Sequence, residues 1–231
     1  MCSALYTETV LLRVLSDIFC AADRQHVTLL GLLDLSAAFD CVDHDILIHR
    51  LQRSFGFGGT VIAWIQSFLC DRTQQVSYAD GLSATIQLAF GVPQGSVFNG
   101  PLLFLLYTAE LFYIIAGLIG HSYVDDTQLY ISAPASSASA IVQQFVACVE
   151  AIDAWMRSNR LKMNADKTQL IWLGTKEQLD KLSVTELSLL SAKVTFSSTV
   201  YDLGFLFDSQ LTMKDHVSAV CLSCFWQPLQ L

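Results

Sequence analysis

The stretch HSYVDDTQLYI, residues 121–131, sets two adjacent acids between short runs of apolar and β-prone residues. That pattern predicts a hairpin with Asp125 and Asp126 at its tip. A carboxylate in an apolar setting is costly unless it is paired or bound to a cation, and two side by side also repel. An Asp-Asp pair is equally a common turn pair, so the stretch alone leaves both readings open.

The next informative segment is HVTLLGLLD, residues 26–34, a continuous apolar run of strand length that ends in Asp34. If this buried strand lies beside the hairpin, three carboxylates converge. Donors that are all oxygen favour hard cations such as Mg²⁺ or Mn²⁺ over zinc. Two such ions about 4 Å apart activate a hydroxyl and stabilise a leaving phosphate oxygen.

Around these segments the periodicity predicts helices over 4–22, with Leu5, Leu12, Leu15 and Phe19 among the apolar positions, over 43–54, over 60–70 and over 139–157. The second carries Ile46, Leu47, Leu51 and Phe55 and stops at Gly56, Gly58 and Gly59. Residues 73–90 read as a hairpin around Asp80-Gly81, GVPQGS as a turn-rich loop, SAPASSASA (132–140) as a loop, 167–174 as a strand and 192–211 as a strand pair. The run PLLFLLYTAELFYIIAGLIG (101–120) reads as a buried core helix, because Glu110 at its centre is costly in lipid and no Lys or Arg flanks it. No repeat interrupts the chain, and strands interleaved with helices and hairpins predict one α+β domain, a mainly antiparallel sheet with helices packed on one face.

The 231 residues are 53% hydrophobic and 15% charged, with 13 Lys and Arg against 21 Asp and Glu. Mean hydropathy is +0.46, so disorder is excluded and some apolar surface is expected to be covered by other protein. A net charge of −8 leaves no broad basic field for a polyanion. Seven scattered cysteines point to reduced thiols in an intracellular protein, and Cys221-x-x-Cys224 lacks the second ligand pair that zinc requires. No signal peptide is read at the N-terminus, and no membrane association is expected.

LLDLSAAFDCVDHDIL (32–47), FGVPQGSVFNGPLLFLLYTAEL (90–111), YVDDTQLYIS (123–132), LKMNADKTQLIWLG (161–174) and YDLGFLFDSQLTMKDHV (201–217) follow one another in this order. Together they resemble the palm motifs of reverse transcriptases in the form carried by non-LTR (LINE-like) retrotransposons, from about residue 7 to the C-terminus. The resemblance implies that Asp34, Asp125 and Asp126 are the catalytic, metal-binding acids for two Mg²⁺ or Mn²⁺ ions. Phe39 matches the bulky gate that excludes a ribose 2′ hydroxyl. Gln94 and Gly95 match the loop that touches nucleotide and template, Tyr123 joins the nucleotide-binding set, and Lys167 matches the basic residue near the departing pyrophosphate.

By the same resemblance, residues 1–25 are the end of a fingers region, 26–190 the palm, and 191–231 a primer-gripping hairpin with the start of a thumb. The expected function is RNA-directed DNA polymerase, acting on an RNA template, a DNA primer and deoxynucleoside triphosphates. Most of the fingers and thumb are missing against the family pattern, so the expected activity of this chain alone is weak or nil. The alternative is a non-catalytic palm-like remnant or interaction module.

Overall fold

The computed structural model describes residues 7–78, 81–93, 95, 100–115, 117–123, 125–190 and 192–226. They gather into two compact units, one drawn from the described residues of 7–34, 115–152 and 164–226, the other from those of 35–114 and 153–163.

The first unit holds α1 (Thr7–Asp23) and β1 (His26–Leu35). In the second unit are α2 (His44–Arg53), α3 (Gly59–Leu69), the two-residue strands β2 (Thr73–Gln74), β3 (Ser77–Tyr78), β4 (Gly81–Leu82) and β5 (Ile86–Gln87), and α4 (Gly100–Thr108). The chain then returns to the first unit with β6 (Ile119–Tyr123) and β7 (Asp126–Pro134). After these come α5 (Ala138–Ser158), which contributes to both units, β8 (Met163–Leu173), the short α6 (Lys176–Leu179), β9 (Glu186–Leu189), β10 (Ala192–Thr195), β11 (Thr199–Asp202), β12 (Phe205–Asp208) and α7 (Lys214–Trp226).

The first unit is organised by a four-stranded sheet in the order β6-β7-β1-β8. β7 pairs antiparallel with both β6 and β1, the latter from His26↔Pro134 to Leu33↔Thr127. β1 is apolar without alternation because both its faces are covered. Leu30, Tyr130, Ile171 and Leu173 pack with Val10, Val14 and Ile18 of α1. Gly31 faces the other way, where a methyl group would collide with the Phe145 ring of α5 and press on Leu170. The α+β class and antiparallel palm sheet are as expected, and the helices divide between its two faces. The buried stripe of α1 runs Val10, Val14, Ile18 and Ala21, whereas Leu12 and Phe19, two of the apolar positions of the expected helix, are exposed; Leu5 lies outside the described residues.

Three expectations shift with tertiary pairing. The apolar run 101–120 is not one helix: α4 ends at Thr108, a 3₁₀ turn carries the chain to Tyr113, and β6 begins at Ile119. Hydropathy does not distinguish these states, and the Thr108 hydroxyl donates to the Phe104 carbonyl in the last turn, a bond that competes with helix continuation. The stretch 132–140 is not a loop throughout, since β7 runs to Pro134 against β1 before α5 starts at Ala138. Cross-strand pairing overrides its Ser and Ala composition. The C-terminal region forms two hairpins instead of one, β9 with β10 and β11 with β12.

Among the described residues one helical stretch, 135–158, has the length and apolarity to cross a membrane. Its Ile141, Phe145, Val149 and Ile152 are buried in protein.

In the second unit Asp43 caps α2 by accepting from the amides of Asp45 and Ile46 at 3.0 and 3.1 Å. Arg50 on that helix is 6% exposed. It donates to the Tyr107 carbonyl and to Asn159 Oδ1, and pairs with Glu110 at 2.9 Å. Glu110 therefore sits in the 3₁₀ turn and serves a buried cation. Phe55, expected on one face of this helix with Ile46, Leu47 and Leu51, lies past its end and is exposed. β3 and β4 form the expected hairpin, whose turn residues 79 and 80 are outside the described set.

Candidate active site

Register builds the acid site. The β1–β7 pairing ends at Leu33↔Thr127, so Asp34 and Asp126 are the next residues on two adjacent strands, and β6 closes on β7 at Tyr123↔Asp126 with Asp125 in the turn. Like charges gathered at the ends of neighbouring strands are destabilising. Partial desolvation, then the charges of Asp125 and Asp34, push the Asp126 carboxyl above its ordinary pKa. Asp126 is exposed at the cleft mouth, so its desolvation is limited and the two neighbouring carboxylates carry much of the argument.

Asp34 Oδ2 is buried and accepts no hydrogen bond. Lys167 Nζ stands 3.7 Å from it, an ion pair beyond hydrogen-bond reach. A buried, charged oxygen without a donor is the kind of atom that a cation completes. Among the described residues no group of three or more Asp, Glu, His or Cys side chains is placed to hold a metal ion. The carboxylate oxygens of Asp34, Asp125 and Asp126 are donors of the type a hard ion takes, but they do not form a ready coordination set.

Asp34, Asp126 and Lys167 line a cleft of about 550 Å³, together with Gln128, Asp166 and the Tyr201–Gly204 turn. Gln128 and Asp202 were not anticipated. Gln128 lies two residues after Asp126, on the same face, and its Nε2 donates to Asp202 Oδ2 at 2.6 Å. Burial, opposed by that hydrogen bond and aided by the Asp126 charge, raises Asp202 to a pKa of about 6. The signal available in the sequence was an acid one residue before a Leu-Gly turn in an otherwise apolar hairpin.

The remaining predicted residues belong to the second unit or to undescribed positions. Phe39 is 7% exposed on a 3₁₀ turn, its ring centroid 5.2 Å from that of Phe104. Its carbonyl accepts from the Val92 amide at 2.8 Å, and the Gly91 amide donates to Val42 O at the same distance. The Gly91 carbonyl accepts from Arg72 Nη1 at 2.9 Å and from His44 Nε2 at 2.8 Å, which fixes the proton on that nitrogen. Gly91 takes φ 88° and sits so close to the Phe39 and Asp40 backbone that a side chain there is excluded. The chain leading to residue 95 is thus fastened to the Phe39 segment. Gly95 lies in an exposed turn with open space beside it. Gln94, Val124 and the side chain of Tyr123 lie outside the described residues.

A family model described as reverse transcriptase (RNA-dependent DNA polymerase) matches residues 7–199. The chain is 28% identical over 234 residues to the probable RNA-directed DNA polymerase from transposon BS of Drosophila melanogaster, covering 95% of this chain and 24% of that protein. It is 25% identical to the RNA-directed DNA polymerase from mobile element jockey of the same organism, covering 90% and 22%. The chain thus spans about a quarter of the length of the relatives it matches. In fold it resembles telomerase from Candida tropicalis, solved with a TWJ fragment of telomeric RNA, at a TM-score of 0.58, 13% identity and coverage of 90% and 33%. Telomerase from Candida albicans gives a TM-score of 0.57 at 14% identity, covering 87% and 34%. With the ordered motifs, the palm sheet and a family match across most of its length, this chain belongs to the reverse transcriptase (RNA-dependent DNA polymerase) family.

Proposed function

We propose that this chain carries the palm of an RNA-directed DNA polymerase, in which a primer 3′ hydroxyl attacks a deoxynucleoside triphosphate opposite an RNA template. The observation that supports it most is the gathering of acids where β1 and β7 end: Asp34 and Asp126 adjoin the last pair of these strands, Asp125 lies in the turn, the charges of Asp125 and Asp34 help to raise the Asp126 carboxyl, and one Asp34 oxygen is buried without a donor. A sheet does not hold like charges together at its strand ends without a cation or proton to relieve them.

Asp34, Asp125 and Asp126 are the residues to hold two divalent ions. When bound, such ions supply nucleophile activation and neutralise charge on the phosphates. Lys167, 69% exposed at its side chain, is free to swing from Asp34 towards a departing pyrophosphate and to neutralise or protonate it. Phe39, immobilised by Phe104 and by the Gly91–Val92 backbone, has the rigidity a sugar gate requires. Gln94 and Gly95 contribute to nucleotide and template contact, and Tyr123 to the nucleotide pocket. With so few cations in the chain, its activity alone is weak.

Primer extension on an RNA template with Mg²⁺ or Mn²⁺, run beside the Asp125→Asn variant, tests the proposal. Extension by the parent and none by the variant is expected; equal signals from both remove the polymerase reading.

A further inference from the structure

The wall of the acid cleft is a turn, and one buried hydrogen bond ties it to the catalytic hairpin. Asp202 ends β11, and the following Leu203 and Gly204 take φ 46° and 89°, the tight two-residue turn that joins β11 to β12. Tyr201, Leu203 and Gly204 all line the cleft. Tyr201 is 63% exposed, and beyond its chain neighbours no atom lies within 4 Å of where a Cβ on Gly204 would stand. A ligand at this wall therefore meets bare main chain as much as side chain.

Asp202 is 5% exposed and Gln128 1% exposed, and their 2.6 Å hydrogen bond spans 74 residues of sequence. Gln128 Oε1 is buried with no partner. Burying an amide with half its capacity unused, beside an acid that faces Asp126, is unfavourable locally. The hydrogen bond joins the strand that carries Asp126 to the turn across the cleft.

We propose that Asp202 is a positioning residue: through Gln128 it holds the Tyr201–Gly204 turn, part of the hairpin that the family resemblance assigns to the primer end, at a fixed distance from Asp126. The assignment to a primer rests on the polymerase reading; the tether does not. A hydrogen bond of this kind needs an acceptor at 202 and a donor at 128, so Asp202→Asn preserves it and Asp202→Leu or Gln128→Leu removes it.

The test measures amide hydrogen exchange over residues 201–206 and binding of a fluorescent primer–template duplex with Mn²⁺, in the 231-residue chain. Asp202→Leu and Gln128→Leu are each expected to speed exchange in that segment about tenfold and to weaken duplex binding about fivefold. The double variant should be no worse than either single one. Asp202→Asn should stay within about twofold of the parent in both readouts. Unchanged exchange in Asp202→Leu overturns the proposal, as does an Asp202→Asn variant as loose as Asp202→Leu, which would assign the effect to charge or packing. If exchange responds as expected but the parent binds no duplex, the tether stands and the polymerase reading fails.

Discussion

Asp202 faces Asp126 across the cleft from a site that is 5% exposed, and its carboxyl is raised to a pKa of about 6 by burial and by that neighbour. The raised value implies a distinct pH dependence. Between the ordinary value of 3.8 and about 6, the folded chain retains a proton that the unfolded chain has released. This group's stabilisation is therefore fully present below about pH 4 and is lost as pH rises through about 6, at most on the order of 3 kcal/mol. Asp126, also raised, acts in the same direction. Asp34, Asp166 and Lys167 are the other charged groups lining the cleft. Without divalent ions, urea unfolding should show the parent losing stability relative to Asp202→Asn between about pH 4.5 and 7. Parallel curves for the two proteins would show that Asp202 is not held protonated.

Asp208 behaves in the opposite way. Burial pushes its carboxyl up, but donors from the Gln210, Thr212 and Met213 amides and the Thr212 hydroxyl outweigh that and hold it below the ordinary value. Its stabilisation is present above the ordinary carboxylate range and lost as pH falls through the lowered value. Asp208→Asn should therefore flatten the acid limb of the stability profile, and an unaltered acid limb would count against these bonds.

Divalent ions should relieve the repulsion among Asp34, Asp125 and Asp126. Binding to the folded chain alone stabilises it by RT ln(1 + [L]/Kd), about 1.4 kcal/mol at tenfold excess over Kd. Millimolar Mn²⁺ should raise the thermal midpoint at pH 7, and less so as pH falls, because the raised pKa of Asp126 lets a proton compete with the ion there. An Asp34→Asn, Asp125→Asn double variant should lose the rise. An equal rise in both proteins would place the ion elsewhere.

How much of this was legible in the sequence depends on the range of the forces concerned. β1, the Asp125–Asp126 hairpin and α5 were readable because continuous apolarity, a two-residue turn and helical periodicity are local signals. The acid pair was readable too, since an isolated Asp ending an apolar strand stands out. Gln128 and Asp202 were not, because their partnership spans 74 residues and each alone looks like an ordinary polar position. Arg50 was hidden for the same reason: its partners Tyr107, Glu110 and Asn159 come from distant segments. The run 101–120 was misjudged because Leu, Phe and Ile suit a helix, a 3₁₀ turn and a strand alike, and pairing of β6 with β7 decides among them.

Arg50 should be the most sensitive single position in the second unit. Removing it leaves the Tyr107 carbonyl and Asn159 Oδ1 buried without their donor, and Glu110 without its cation. Loss of one partner in such a network costs about 3–5 kcal/mol. Glu110→Gln should cost under about 1 kcal/mol, because that side chain is 38% exposed and solvent screens the pair. Equal losses from Arg50→Ala and Glu110→Gln in chemical denaturation would contradict this division.

The charge of the cleft yields the last prediction. Among the described residues Asp34, Asp126, Asp166 and Asp202 line it against a single cation, Lys167. A nucleic acid approaching this surface meets like charge, and a chain of net charge −8 supplies no compensating field at longer range. Duplex binding should therefore be weak, depend on a divalent ion, and release few counterions, so that log K falls with log salt at a slope of only about −1 to −2. Asp166 is the acid to alter, because it lies in the cleft next to Lys167 and is not among the proposed ion-holding residues. Asp166→Lys replaces repulsion with attraction at one phosphate, and each added phosphate contact steepens the slope by about 0.9. Anisotropy titrations of a primer–template duplex at two salt concentrations should show the variant binding more tightly at low salt, with a slope steeper by nearly one unit. Tight binding by the parent, or an Asp166→Lys variant with unaltered affinity and slope, would mean that the duplex contacts the protein away from this cleft.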